Sequence, residues 1–107
     1  MRHRIVFSRI ERHPGIEREE LGNAALAYCR AALDVEGVVE AKFYWVHSTG
    51  IAIQVETETL EAADTVMRGG TEKLIGTSVR VEDAGRLVTR EMWTPPKDAS
   101  FNYYGRR

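Results

Sequence analysis

The sequence has little cysteine, few histidines and no long apolar stretch, and each shortage excludes certain classes of protein. Its one cysteine, Cys29, allows no disulfide within the chain and no cysteine-based zinc cluster, so a reducing cytoplasm is the expected compartment. No apolar run approaches the ~18 residues of a membrane span, and the run near the N-terminus is too short for a signal peptide. The net charge of −1 gives no basic field for nucleic acid or anionic lipid. We therefore expect no membrane and no nucleic acid among the partners.

The composition is that of an ordinary globular protein. The chain has 107 residues, of which 43% are hydrophobic and 29% are charged. This length fits one domain, and neither a linker nor an internal repeat divides it. We predict one domain over residues 1–96, because Pro95 and Pro96 end regular structure, followed by a polar tail over residues 97–107. The tail carries Phe101, Tyr103 and Tyr104, which we expect to pack on the protein itself or on a partner subunit.

Strand-like and helix-like segments alternate along the chain. β-forming residues predict a first strand at Arg4–Ile10, and helical spacing predicts a helix at Glu17–Val35 with Leu21, Ala25, Tyr28, Ala32 and Val35 inward. A hairpin (Val38–His47, Ile51–Thr57), a helix from an N-cap at Thr59 and a short helical piece at Thr71–Gly76 follow. Val79–Glu82 and Arg86–Trp93 are β-like and form either a hairpin or one long bulged strand. The order predicts an α+β, ferredoxin-like βαββαβ fold, whose antiparallel sheet carries its helices on one face.

The hairpin register follows from which side chains must share a face. Phe43 and Trp45 are apolar and alternate on one strand, as Ile51 and Ile53 do on the other, so a three-residue loop must join the strands. We predict the loop Ser48-Thr49-Gly50 with Gly50 in the left-handed region. The predicted pairs are Trp45 with Ile53, Phe43 with Val55, Tyr44 with Gln54 and Lys42 with Glu56. Phe43 and Trp45 then face the helices.

Several short motifs together resemble a known superfamily. They are His13-Pro14-Gly15 after the first strand, Glu36-Gly37-Val38-Val39 before the second, the aromatic strand Phe43-Tyr44-Trp45, the strand Gly50–Glu56 and Glu61-Ala62-Ala63 in the next helix. Over residues 5–75 the chain resembles the dimeric α/β barrel superfamily, in particular its antibiotic-biosynthesis-monooxygenase-like members. The resemblance implies a ferredoxin-like protomer whose sheet pairs with that of a second copy.

The resemblance also implies a range of activities, because such families include cofactor-independent monooxygenases, haem-degrading enzymes and isomerases. Many monooxygenase-like members carry a tryptophan soon after the third strand and a histidine in the following helix. Val55-Glu56-Thr57-Glu58 and Leu60–Arg68 hold neither residue here. The resemblance therefore carries over the fold and no catalytic residue.

Candidate site residues come instead from the hairpin. Tyr44, Lys42, Gln54 and Glu56 share the sheet face turned away from the helices, where they form either a solvated polar surface or the lining of a ligand cavity in a dimer. His47, at the end of its strand, is the best acid–base candidate, because an imidazole titrates near neutral pH. We predict His47 and Tyr44 as catalytic, and Tyr44, Gln54, Lys42 and Glu56 as substrate-binding.

No metal or cofactor site is expected. His3 and His13 lie near opposite ends of the first strand, ~20 Å or more apart, too far to share a metal with His47. Gly69-Gly70 lacks the phosphate-binding spacing and lysine. We expect a homodimer that binds a small molecule, either as a cofactor-independent monooxygenase or isomerase acting on an apolar aromatic or polyketide-like substrate, or as a non-catalytic ligand-binding or interaction module.

Overall fold

A computed structural model describes residues 4–94 of the protein. The elements in chain order are β1 (Arg4–Arg12), α1 (Arg18–Ala32), β2 (Val38–Val46), β3 (Gly50–Thr57), α2 (Leu60–Met67), α3 (Glu72–Ala84) and β4 (Gly85–Trp93). The four strands form one antiparallel sheet in the order β2-β3-β1-β4. This confirms the predicted α+β, ferredoxin-like architecture. The aromatic tail predicted at 97–107 and His3 lie outside the described residues.

The sheet has one face under the helices and one without them. Val6, Ser8 and Ile10 of β1 are at most 2% exposed and face α1, α2 and α3. The alternate residues of β1 belong to the opposite side, which we call the open face. The open face consists of Ile5, Phe7, Arg9 and Glu11 of β1, Glu40, Lys42, Tyr44 and Val46 of β2, Ala52, Gln54 and Glu56 of β3, and Arg86, Thr89, Glu91 and Trp93 of β4.

The apolar stripe of α1 forms the centre of the core, as its spacing predicts. Leu21, Ala25, Tyr28, Ala32 and Val35 are all buried. The helix ends at Ala32, earlier than predicted, and Gly37 follows with a φ of +93°. None of the helices in residues 4–94 is long and apolar enough to cross a membrane.

The hairpin keeps the predicted faces but shifts its register by two residues. Phe43 packs against the core, and the Trp45 ring lies under the guanidinium of Arg18, 4.1 Å from its centroid. Both aromatic residues therefore face the helices, as predicted. The predicted pairs themselves are wrong: Trp45 pairs with Ile51, Phe43 with Ile53, Tyr44 with Ala52 and Lys42 with Gln54. Side chains alternate between the two faces along each strand, so the requirement that apolar residues share a face fixes the faces alone. A shift of the pairing by two residues keeps every side chain on the same face, and the sequence pattern does not exclude it.

The shift places the hairpin loop one residue earlier, and the left-handed residue is His47 rather than Gly50. Val46 pairs with Gly50, so the three loop residues are 47–49, and His47 has a φ of +57°. Gly50 has no positive φ, which contradicts the prediction. It is buried in β3, where an added Cβ would lie 2.6 Å from the carbonyl oxygen of Ile10. The glycine is required by close backbone approach on β1 rather than by the turn.

Two threonines begin the second and third helices. The Thr59 hydroxyl accepts a hydrogen bond from the Ala62 amide at 3.1 Å, which confirms the predicted N-cap of α2. The Thr71 hydroxyl accepts one from the Leu74 amide at 3.3 Å and caps α3.

The third helix corrects the prediction for residues 71–84. The helical piece predicted at Thr71–Gly76 continues to Ala84, so the strand predicted at Val79–Glu82 is wrong, both as half of a hairpin and as part of a long bulged strand. Leu74, Val81 and Ala84 are buried, whereas Val79 is 53% exposed. The β-branched valines suggest a strand by propensity, but the burial of residues 74, 81 and 84 follows the helical period. Only Gly85–Trp93 remains a strand.

Candidate functional site

The open face brings together four of the five predicted site residues. Tyr44 and Lys42 lie on β2, and Gln54 and Glu56 on β3. Lys42, Gln54 and Glu56, together with Ile5 and Glu40, line a shallow pocket of about 100 Å³. The predicted opposition of Lys42 and Glu56 is wrong, because Lys42 pairs with Gln54 across the strands and its ammonium lies 3.5 Å from the Glu40 carboxylate.

Lys42, which lines this pocket, also lies close to Tyr44 on the same strand. The Lys42 ammonium lies 5.8 Å from the centroid of the Tyr44 ring. The pKa of Lys42 is raised above its ordinary value, mainly by its hydrogen bond with the Tyr44 side chain and next by the charge of the Glu40 carboxylate. Lys42 is therefore a cation at neutral pH. The Tyr44 side chain is 49% exposed and remains accessible to a ligand.

His47 stands apart from the other four candidates. It occupies the hairpin turn after β2, which Arg12 holds through hydrogen bonds from its amide to the Thr49 carbonyl and from its guanidinium to the Ser48 carbonyl. Within residues 4–94 no hydrogen bond or ion pair of the His47 ring is found, and no carboxylate orients it. The structure therefore does not join His47 to Tyr44 as one catalytic pair.

A second polar cluster, which sequence reasoning missed, lies between the sheet and the helices. The Arg90 guanidinium donates a hydrogen bond of 2.9 Å to the Ser8 hydroxyl, and Arg90 lines a small cavity together with the buried Tyr28. That cavity measures about 10 Å³, which is room for about one water molecule. Ser8 stands between Val6 and Ile10 on the buried side of β1, and this position was the signal that a polar partner must enter the core.

Burial keeps the two ionisable α1 groups of the core neutral. Desolvation raises the pKa of Tyr28, although the charge of Arg90 opposes that shift. Burial raises the pKa of the Cys29 thiol to about 11, so the thiol is protonated at neutral pH and is a poor nucleophile. Cys29 is a small buried core residue, since it is 4% exposed.

Two larger depressions of the described residues lie elsewhere, on the helix side around α2. Two broad, solvent-open grooves of about 510 and 470 Å³ are lined mainly by threonines and carboxylates, among them Glu61, Thr65 and Thr71. Among residues 4–94, neither groove is lined by a histidine, a cysteine or a tyrosine, so neither offers a thiol, a phenol or an imidazole base. Within residues 4–94 no group of three or more histidine, cysteine or acidic side chains could hold a metal ion.

No family model and no curated protein matches the chain. Solved structures do. SnoaB, a cofactor-independent oxygenase from Streptomyces nogalater, has a TM-score of 0.77 at 7% identity, over 92% of this chain and 98% of that one. A candidate antibiotic biosynthesis monooxygenase from Chloroflexus aurantiacus has a TM-score of 0.68 at 11% identity, over 90% and 95%. Rv0793 from Mycobacterium tuberculosis has a TM-score of 0.72 at 15% identity, over 91% and 98%. The protein thus has the ferredoxin-like fold of the antibiotic-biosynthesis-monooxygenase-like proteins, as the sequence motifs predicted.

Proposed function

We propose that the protein is a cytoplasmic homodimer that binds a small aromatic molecule between the open faces of its two protomers. The observation that carries the proposal is the character of the open face. Phe7 and Trp93 stack there with ring centroids 4.6 Å apart, and Tyr44 and Trp93 are 49% and 41% exposed. A face of aromatic and polar side chains without a covering helix suits a partner surface that also holds an aromatic ligand.

The activity that we propose is cofactor-independent oxygenation or isomerisation of an apolar aromatic or polyketide-like substrate. The likeness in fold to a cofactor-independent oxygenase supports it. Tyr44 would bind the ligand through its hydroxyl, and Gln54, Lys42 and Glu56 would form the polar wall of the ligand site. His47, in the turn after β2 at the rim of the site, would exchange a proton with the substrate. The core cavity beside Tyr28 is a weaker site, because it admits about one water molecule.

A specific observation favours a second function, that of a non-catalytic ligand-binding or interaction module. His47 lies in an exposed turn, and no described carboxylate holds its ring in place. General acid–base catalysis needs a positioned ring. Under this alternative the open face serves binding or assembly alone, and no turnover is expected.

The dimer is tested by light scattering at micromolar concentration. We expect about twice the 12.1 kDa of one chain. Ala52→Lys places a charge at the centre of the open face and should dissociate the dimer, because a buried unpaired charge is costly. The control Val79→Lys changes an exposed residue of α3 and should leave the mass unchanged. A wild-type protein of single-chain mass would contradict the proposal.

The site is tested with 1,8-dihydroxynaphthalene as a probe, through its binding and through oxygen uptake. Tyr44→Phe removes one hydroxyl, so the melting temperature should hardly change while affinity falls by about 0.5–1.5 kcal/mol. His47→Asn suits the positive φ of the turn and should lower turnover while leaving binding unchanged, because the imidazole proposed to exchange a proton is lost. Unchanged binding in Tyr44→Phe would remove the phenol from the site. Binding without oxygen uptake would favour the non-catalytic alternative.

A further inference from the structure

Arg9 is a cation at the centre of the open face, and no carboxylate of residues 4–94 forms an ion pair with it. It lies on β1 between Ala52 of β3 and Thr89 of β4. Its Nε atom is buried and, within residues 4–94, has no hydrogen-bond partner. Buried polar groups are normally hydrogen-bonded, and a charged donor without a partner costs the most. An acceptor from outside the chain is therefore expected at this position.

The glutamates nearest to Arg9 are engaged by other groups. Glu91, on the neighbouring strand, accepts a hydrogen bond of 2.8 Å from the Trp93 indole and one of 3.4 Å from the Thr89 hydroxyl. Glu11, two residues along β1, forms an ion pair with Arg86 at 3.9 Å. The arrangement of the open face thus leaves the Arg9 guanidinium available.

The remaining two glutamates of the open face are engaged as well. Glu40 lies beside Lys42, and Glu56 takes part in a further interaction of its own. A second copy of the chain would bring the same four glutamates to the interface, because a two-fold interface repeats one surface. Among residues 4–94 of a partner subunit, the open face therefore offers Arg9 only carboxylates that already have hydrogen-bond or ion-pair partners, and this favours a small-molecule anion as its acceptor.

Tyr44 provides a second donor in the same row of the sheet. Arg9 and Tyr44 both pair with Ala52, one from each side, so their Cα atoms are about 10 Å apart at the usual strand spacing. The residue between them has only a methyl side chain, so a guanidinium and a phenol can approach one acceptor above it.

We propose that Arg9, together with Tyr44, binds the anionic oxygen of an acidic aromatic ligand, a carboxylate or a phenolate. This deepens the proposed function and rests on it, since it assigns a charge to the ligand of the open face. The planar guanidinium matches a carboxylate with two parallel hydrogen bonds, and the stacked Phe7 and Trp93 offer an apolar surface in the adjoining rows.

The test is isothermal titration with 2-naphthoate and with 2-naphthamide, a neutral probe of nearly the same shape. The wild-type dimer should bind the naphthoate more tightly. Arg9→Met should weaken naphthoate binding at least tenfold and leave amide binding unchanged, because the stem is kept and the charge is lost. Arg80→Met removes an exposed arginine of α3 and should affect neither probe. Arg9→Lys keeps the charge without the planar fork and should give an intermediate loss.

Three results would overturn the proposal. A wild-type dimer that binds both probes equally would refute the anion site and leave the proposed function standing. Dissociation of Arg9→Met in light scattering, with its melting curve intact, would make Arg9 a subunit contact instead. A wild-type protein that is monomeric and binds neither probe would refute the anion site and the proposed function together.

Discussion

Replacing Leu74 by alanine is expected to lower the free energy of unfolding by about 2–5 kcal/mol. Leu74 is fully buried and anchors the first turn of α3 to the core. The substitution removes apolar area from the interior and leaves a cavity that the neighbouring side chains fill only in part. Urea denaturation followed by circular dichroism measures the loss. Ile75→Ala is the matched control, because Ile75 is 48% exposed and its truncation should cost far less.

Two valines of α3 decide between a helix and a strand over the same segment. In a strand, Val79 and Val81 would share one face and their truncations would cost alike. In the helix Val81 is 4% exposed and Val79 is 53% exposed. We expect Val81→Ala to cost about 1.5–3 kcal/mol and Val79→Ala to stay within about 0.5 kcal/mol of wild type. Equal losses at the two positions would reject the helix.

Substitution of Gly50 by valine is expected to lower the free energy of unfolding by about 1–3 kcal/mol or more. The added Cβ would stand 2.6 Å from the Ile10 carbonyl oxygen and 3.5 Å from the Glu11 Cα. Both atoms belong to the backbone of β1, so no change of side-chain rotamer relieves the contact. The central strands must separate or shift, which disturbs the β1–β3 ladder. Thermal and urea unfolding measure the effect.

Three variants separate this steric cause from a left-handed backbone. Asparagine tolerates a positive φ, so Gly50→Asn would be mild if Gly50 were a turn residue. Because the obstacle is the Cβ itself, Gly50→Asn and Gly50→Ala should destabilise about as much as Gly50→Val. Gly76→Ala is the control: nothing lies within 4 Å of its added Cβ, and the change should stabilise α3 by about 0.5–1 kcal/mol. A wild-type-like Gly50→Asn would contradict the close approach.

The sequence was sufficient for the features that depend on local periodicity. The stripe of α1 from Leu21 to Val35, the N-cap at Thr59 and the helix-facing side of Phe43 and Trp45 each follow from spacing within one element. Such spacing determines which side chains share a face before any packing is known. The order of elements then predicted the ferredoxin-like fold that the structure confirms.

Tertiary packing decided the features for which local sequence patterns allow more than one structure. A register shift by two residues preserves every face, so the ladder between β2 and β3, rather than alternation, set Tyr44 opposite Ala52. Val79–Glu82 has β propensity, yet burial of Leu74, Val81 and Ala84 against the core favours the helix. Propensity is a weak preference, and the burial of apolar area outweighs it.

The sequence by itself therefore determined the element order through α2, the helix-facing residues of α1 and the hairpin, and the placement of Tyr44, Lys42, Gln54 and Glu56 on one face of the sheet. Only the tertiary structure decided that Glu91 and Glu11 have partners other than Arg9, that Ser8 meets Arg90 in the core, and that Gly50 is needed for β1 to approach β3. The physical reason is that these are contacts between elements distant in the chain. Their geometry is set by how the sheet and helices pack, and periodicity within one element carries no information about it.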